Sequence, residues 1–61
     1  MRYRDARNLH RGDEVLDKAT DEPLRVVKIV DVPEGMRHPT VFLEVSDSQG
    51  RWGEYMHVEV K

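Results

Sequence analysis

The sequence predicts an all-β fold, a five-stranded small barrel preceded by an irregular basic arm. No segment shows a helical period longer than one turn, and turn-forming residues recur about every 8–12 residues, which is typical of small all-β domains. The 61 residues allow one domain at most and are too few for an immunoglobulin-type sandwich, which needs about 100 residues. We therefore assign residues 1–8 to the arm and residues 9–61 to the barrel domain.

The first two strands are expected to lie on either side of a polar loop. Residues 14–18 form the first strand, after a turn at Gly12, where glycine can adopt a positive φ. Residues 24–32 are the strongest strand signal, because five of these nine residues are valine or isoleucine. Their alternation is interrupted at Val26 and Val27, which predicts strong bending or a bulge at that point.

Three further strands are expected in the second half of the chain. Residues 41–45 alternate cleanly, and the face that carries their valines and leucine is taken as the core face. A turn ending at Gly50 leads to a fourth strand over residues 51–56, and a fifth covers residues 58–61. Four strands should each contribute a core residue that is more than about 90% buried. These residues are Val15, Ile29, Leu43 and Val58.

Short sequence patterns connect these strands to a known group of folds. The first half of the chain contains Leu9-x-x-Gly12-Asp13-Glu14-Val15 and, after a loop, Leu24-x-Val26-Val27-x-Ile29. Together with the later Gly50-x-Trp52 and Val58-x-Val60, these patterns resemble SH3-like small barrels, a group that includes Tudor-like and KOW-type domains. The resemblance covers residues 9–60 and implies an SH3-like barrel. The chain lacks the Trp-Trp pair of peptide-binding members, and its Thr20-Asp21-Glu22 loop is acidic where KOW-type members carry glycine and lysine.

The charge of the chain is unevenly distributed. Residues 1–11 carry four arginines against one aspartate, a net charge of 4 − 1 = +3, whereas the remaining fifty residues carry 6 − 11 = −5. Arginine contacts nucleic-acid phosphates and tyrosine stacks on bases, so the arm predicts an alternative, weak nucleic-acid-binding function. Its residues are Arg2, Tyr3, Arg4, Arg7 and Arg11. The same arginines are also typical of a solvated chain terminus.

Residues with catalytic or metal-binding chemistry are few. The chain has no cysteine, and its three histidines, at positions 10, 38 and 57, include no close pair. It has no glycine-rich phosphate-binding loop, and so short a chain can hardly enclose a pocket of about 300 Å³ or more. We therefore expect a protein that is not an enzyme and that has no catalytic residue, metal site or cofactor.

Targeting signals are not expected either. The first eight residues are polar, unlike the apolar run of a secretory signal. No segment approaches the ~20 apolar residues of a membrane span. The sequence therefore predicts a soluble, cytoplasmic protein with no membrane partner.

The aromatic residues indicate a protein-binding surface. Phe42 lies off the core face of its strand, and Trp52 and Tyr55 lie on the next strand of the hairpin. A symmetric turn would place Phe42 opposite Tyr55. A bulge at Gly50 would shift the register by one residue and move Trp52 to the face of Phe42, so the sequence does not decide the face of Trp52. Tryptophan and tyrosine are enriched at interface hot spots. The leading prediction is a non-catalytic binding or regulatory module that contacts a protein partner or a second copy through Phe42, Trp52 and Tyr55. The alternative for Trp52 is that it covers the open end of a small core.

Overall fold

Four antiparallel strands form one sheet in the order β1-β2-β3-β4. The computed structural model describes residues 1–34 and 37–61. The strands are β1 (Glu14–Leu16), β2 (Pro23–Val32), β3 (Thr40–Ser46) and β4 (Trp52–Met56). The β-rich class is therefore confirmed. The prediction of five strands closed into a barrel is not, because the sheet is open and has four strands among the described residues.

The predicted fifth strand is replaced by a 3₁₀ helix, His57–Glu59. An isolated β-bridge follows, between Val60 and Asp17. The Lys61 N–H donates a 2.8 Å hydrogen bond to the carbonyl oxygen of Leu16, the last residue of β1. The end of the chain thus lies beside the end of β1 without forming a continuous strand.

A bulge in β2 keeps the apolar residues at both ends of this long strand directed at the core. The register between β2 and β3 shifts between Val26 and Lys28, which confirms the predicted irregularity. On one side of the shift Val26 pairs with Val45, and on the other side Ile29 pairs with Leu43. Without the extra residue, Val26 and Ile29 would point to opposite faces.

The core is built from small and medium-sized aliphatic side chains. Its buried members are Ala6, Val15, Leu24, Val26, Val41, Leu43, Val45 and Val60. Val15 and Leu43 are therefore buried as predicted. Ile29 packs against the core but is only half-buried, and Val58 is 48% exposed, so the prediction of deep burial is wrong for both. Val58 points outward because it lies in the 3₁₀ helix, whose three-residue turn does not keep the two-residue alternation of a strand.

The N-terminal residues form a short helix, α1 (Tyr3–Ala6), instead of the predicted irregular arm. The Ala6 side chain is fully buried in the core. The Met1 ammonium group donates to the carbonyl oxygen of Val60, and the Tyr3 hydroxyl donates a 2.6 Å hydrogen bond to Asp31. These contacts hold α1 against the sheet. Within the described residues, no helix is long and apolar enough to span a membrane.

Candidate protein-binding surfaces

The β3–β4 hairpin sets the positions of the three aromatic residues. Its turn contains Gly50 at φ +79°, a conformation that favours glycine, and Asp47 accepts hydrogen bonds from the N–H groups of Gln49 and Arg51 at 2.9 Å. Because the turn carries its extra residue on the β4 side, Ser46 pairs with Trp52. The sequence left two arrangements of this turn open, and the one with a bulge at Gly50 is the one that forms.

The predicted pairing of Phe42 with Tyr55 is wrong by one residue. Phe42 pairs with Met56, and Tyr55 pairs with the buried Leu43. A shift of one residue in register exchanges the two faces of a strand, so Tyr55 lies on the core side of the sheet and packs against the core. Trp52 shares the face of Phe42, at the other end of the hairpin. The three residues therefore do not form one patch.

The face of the sheet that carries Phe42 and Trp52 is called the outer face. Trp52 is 68% exposed, and Val30 and Met56, the cross-strand neighbours of Phe42, are 41% and 39% exposed. Phe42 itself is half-buried and does not belong to the core cluster. The outer face thus presents apolar surface away from the core.

A second candidate surface lies on the other side of β4, between the β1–β2 loop and the 3₁₀ helix. We call it the acidic groove. Its volume is about 590 Å³, and it is lined by Asp17, Lys18, Ala19, Gly53, Glu54, Tyr55, Val58 and Glu59. Three of these side chains are carboxylates and one is an ammonium group. The exposed Val58 side chain provides an apolar wall.

Asp17 connects the two sides of this groove. In the sequence it is only a carboxylate at the end of a strand, and no motif marks this role. Its carboxylate accepts a 2.7 Å hydrogen bond from the Tyr55 hydroxyl and bonds of 2.8 and 3.3 Å from the N–H groups of Ala19 and Thr20. Its backbone carbonyl accepts from the N–H of Asp21, which has φ +60°. One buried side chain therefore joins the β1–β2 loop to β4.

Carboxylates lie near the Tyr55 hydroxyl and affect its pKa. The pKa of its hydroxyl is raised above the ordinary 10.0, first by the hydrogen bond to Asp17, then by burial and by the negative charges of Asp17, Glu22 and Glu59. A raised tyrosine pKa means that the surroundings oppose a further negative charge. The same field favours a positively charged group placed beside the ring.

Acid should weaken the loop that Asp17 holds. The hydrogen bond from Tyr55, followed by the one from the Ala19 N–H, lowers the pKa of Asp17 below the ordinary 3.8. A carboxyl group with a lower pKa in the folded state stabilises the fold above its unfolded pKa, and this contribution is lost as the pH falls through the folded pKa. We expect the melting temperature, followed by circular dichroism, to fall below about pH 4, and Asp17→Asn to make that fall shallower.

The control for this experiment is Glu34→Gln, which removes an exposed carboxylate and should leave the acid dependence as it is in the unchanged protein. Tyr55→Phe removes the largest cause of the low pKa, so it should raise the pKa of Asp17 when the carboxyl carbon is titrated by NMR. An Asp17 pKa that does not move in Tyr55→Phe would contradict the hydrogen bond.

Three of the five predicted nucleic-acid residues contact other side chains of the chain, whereas Arg4 and Arg11 are exposed. The guanidinium carbon of Arg7 lies 5.8 Å from the centre of the Tyr3 ring, and Arg2 lies 3.6 Å from Asp5. The Tyr3 ring makes an edge-on contact with His57, with 6.1 Å between ring centres. Tyr3 therefore packs against other residues of the fold, and stacking of its ring on a nucleic-acid base stays a prediction.

Side chains that could bind a metal ion do not cluster in residues 1–34 and 37–61. No three histidine, aspartate or glutamate side chains of this part of the chain gather in a way that could hold a metal ion. His57 is buried, and its Nδ1 accepts a 3.2 Å hydrogen bond from the Val41 N–H, which is a structural role. Comparison of the chain with protein-family models, with curated proteins and with solved structures finds no match.

Proposed function

We propose that this chain is a non-catalytic binding module that holds a basic, extended segment of a partner protein in the acidic groove. The observation that carries the proposal is the set of carboxylates beside Tyr55: Asp17, Glu54 and Glu59 line the same groove, and Asp17 accepts a 2.7 Å hydrogen bond from the Tyr55 hydroxyl. Complementary charge across an interface accelerates association and selects the partner. A negative groove with an aromatic wall is suited to lysine or arginine side chains.

The form of the groove supports an extended ligand. Its sides are the β1–β2 loop and the 3₁₀ helix. Hydrogen bonds hold both segments in place. The Lys18 N–H donates a 3.0 Å bond to the Glu59 carbonyl, and the Glu59 carboxylate accepts from the Met56 N–H at 2.9 Å. A preformed groove binds with a smaller entropy loss than one that must be ordered on binding.

The contacts offered to such a ligand are of two kinds. The half-buried Tyr55 ring can receive an arginine side chain by a cation–π contact, while Glu54 and Glu59 lie at the edge of the groove. Val58 is 48% exposed and can pack against an apolar residue or a proline of the ligand. Lys18 is the basic residue among those that line the groove, so it is the natural position to vary.

We also propose that the fold of this chain is an SH3-like small barrel. The strands follow one another in sequence order across the sheet, and Val60 returns to pair with Asp17 beside β1. This return supports a strongly curved sheet whose last segment approaches the first strand. In that architecture the β1–β2 loop and the 3₁₀ helix before the last segment would form the two sides of a single ligand groove.

The test uses a labelled peptide of alternating proline and arginine, with a peptide of alternating proline and glutamate as the control ligand. We expect the arginine peptide to bind, and its NMR shift changes to centre on Tyr55 and Val58. Val58→Arg should weaken binding about tenfold or more, because it places a positive charge in the groove. Lys18→Glu should strengthen it. Both positions are exposed, so both variants should melt like the unchanged protein.

Three outcomes would overturn the proposal. The first is equal affinity for the two peptides, which would remove the role of charge. The second is a set of shift changes located on α1, together with binding of a single-stranded oligonucleotide, which would favour the arginine arm and a nucleic-acid partner. The third is unchanged affinity in both Val58→Arg and Lys18→Glu, which would place any bound peptide outside the groove.

A further inference from the structure

The outer face is arranged in three rows that run across β2, β3 and β4. The pairing of the strands defines which side chains share a row. From one end of β3 to the other, the rows consist of Val30, Phe42 and Met56; of Lys28, Glu44 and Glu54; and of Arg25, Ser46 and Trp52. An apolar row is therefore followed by a charged row and then by a row with a cation at one side and an indole at the other.

Most of these side chains are available to a partner. Trp52 is 68% exposed, the Lys28 side chain 65% and Val30 41%. Phe42 and Met56 lie outside the core cluster. The face therefore combines apolar, charged and aromatic side chains that the described part of the chain leaves at least partly exposed.

The rows are complementary to themselves under one particular rotation. A two-fold axis parallel to β3, in the plane between two stacked sheets, places β2 of one copy over β4 of the second copy. In the apolar row, Val30 then faces Met56 of the second copy, and Phe42 faces its own equivalent. Such isologous contacts are the commonest arrangement of soluble homodimers, and each contact occurs twice.

The same rotation brings opposite charges together in the middle row. Lys28 faces Glu54 of the second copy, and the symmetric pair forms on the other side of the axis. In the third row Arg25 faces Trp52 of the second copy, so a cation–π contact can form there. Neighbouring strands are about 4.8 Å apart and stacked sheets about 10 Å, so side chains of this length can meet.

The alternative rotation is unfavourable. A two-fold axis perpendicular to β3 in the same plane would place β2 over β2 and exchange the first and third rows. Lys28 would then face Lys28 of the second copy, and Glu54 would face Glu54. Like charges placed directly opposite one another destabilise an interface. The order of the charges across the sheet therefore selects the axis along β3.

From this complementarity we infer that the outer face is a homodimer interface with its two-fold axis along β3. Glu44 lies at the axis, where the two equivalent carboxylates approach one another. Each of them is 3.9 Å from the Lys28 ammonium of its own copy, so two cations flank the two anions. The interface uses Glu54 at the edge of the acidic groove but not Tyr55, Val58 or Glu59, so the dimer leaves these three groove residues accessible for the proposed peptide.

The decisive experiment is a charge exchange followed by sedimentation equilibrium. The unchanged protein should reach twice the 7.2 kDa mass of one chain as its concentration rises. Lys28→Glu and Glu54→Lys should each weaken dimerisation about tenfold or more, because each creates two pairs of like charges. The double variant Lys28→Glu with Glu54→Lys restores opposite charges across the axis and should dimerise again.

Circular dichroism melts of the same variants show whether the monomer fold is retained, and Phe42→Ser provides a second, uncharged variant that should also weaken dimerisation. A mass of 7.2 kDa at every concentration of the unchanged protein would overturn the inference. So would a double variant that folds but stays monomeric while the unchanged protein dimerises. Dimerisation that both single charge variants leave intact would place the interface on another face.

Discussion

Leu43→Ala should remove a large part of the stability of this protein. Leu43 is fully buried, and it lies at the centre of the sheet between Ile29 of β2 and Tyr55 of β4. Truncation of a buried leucine to alanine costs about 2–5 kcal/mol, because the transfer energy is lost and a cavity remains. A domain of this size has a free energy of unfolding of roughly 3–9 kcal/mol in total. Urea denaturation followed by tryptophan fluorescence measures the loss.

Leu16→Ala is the matched control for this substitution. Leu16 is at the end of β1 and is 36% exposed, so the same chemical change removes less buried surface. Its cost should be clearly smaller than that of Leu43→Ala. A similar loss of stability in the two variants would show that the face of β3 has been assigned incorrectly.

Deletion of residues 1–6 should have the second largest effect. The deletion removes Ala6 from the core and also removes Met1 and Tyr3, which pack against it. Full burial of a large apolar side chain contributes about 1.5–3 kcal/mol, so these partly and fully buried groups together should contribute on the order of 2–4 kcal/mol. We expect a denaturation midpoint far below that of the complete chain, or no cooperative transition at all.

The control separates the packing of α1 from its charge. The double variant Arg2→Gln with Arg4→Gln removes two cations from exposed positions and leaves Tyr3 and Ala6 in place. Its stability should be close to that of the unchanged chain. If the deletion and the double variant are equally stable, α1 does not contribute to the core. The double variant is also the appropriate protein in which to test nucleic-acid binding, because a shortened chain would lose its fold as well as its charge.

Local signals in the sequence were sufficient for the four strands that form and for the turn at Gly12. The alternation of Val41, Leu43 and Val45 correctly identified the core face of β3, because a strand directs every second side chain to the same side. Adjacent β-branched residues at Val26 indicated the bulge that the sheet contains. Gly12 adopts φ +96° in the turn before β1, where a side chain would be strained. Each of these features depends on a few neighbouring residues.

The candidate sites were less predictable because they depend on register and on distant contacts. The face of Tyr55 is set by one extra residue in the turn at Gly50, and a symmetric turn gives the opposite result. The role of Asp17 depends on Tyr55, which is 38 residues away in sequence. No pattern of neighbouring residues contains that contact, so the acidic groove could not be found from the sequence.

The sequence by itself determined the β-rich fold of this chain and the faces of β1 and β3 that form the core. It also determined the division of charge between residues 1–11 and the remaining fifty residues. Only the tertiary structure decided the conformation of the two terminal segments. A four-residue helix is marginal in water, so α1 depends on the burial of Ala6 against the sheet. The 3₁₀ helix places Val60 rather than Val58 in the core, where Val60 pairs with Asp17. Both segments are too short to hold a conformation by local preference, and their structure follows from the apolar surface that the four strands leave for them to cover.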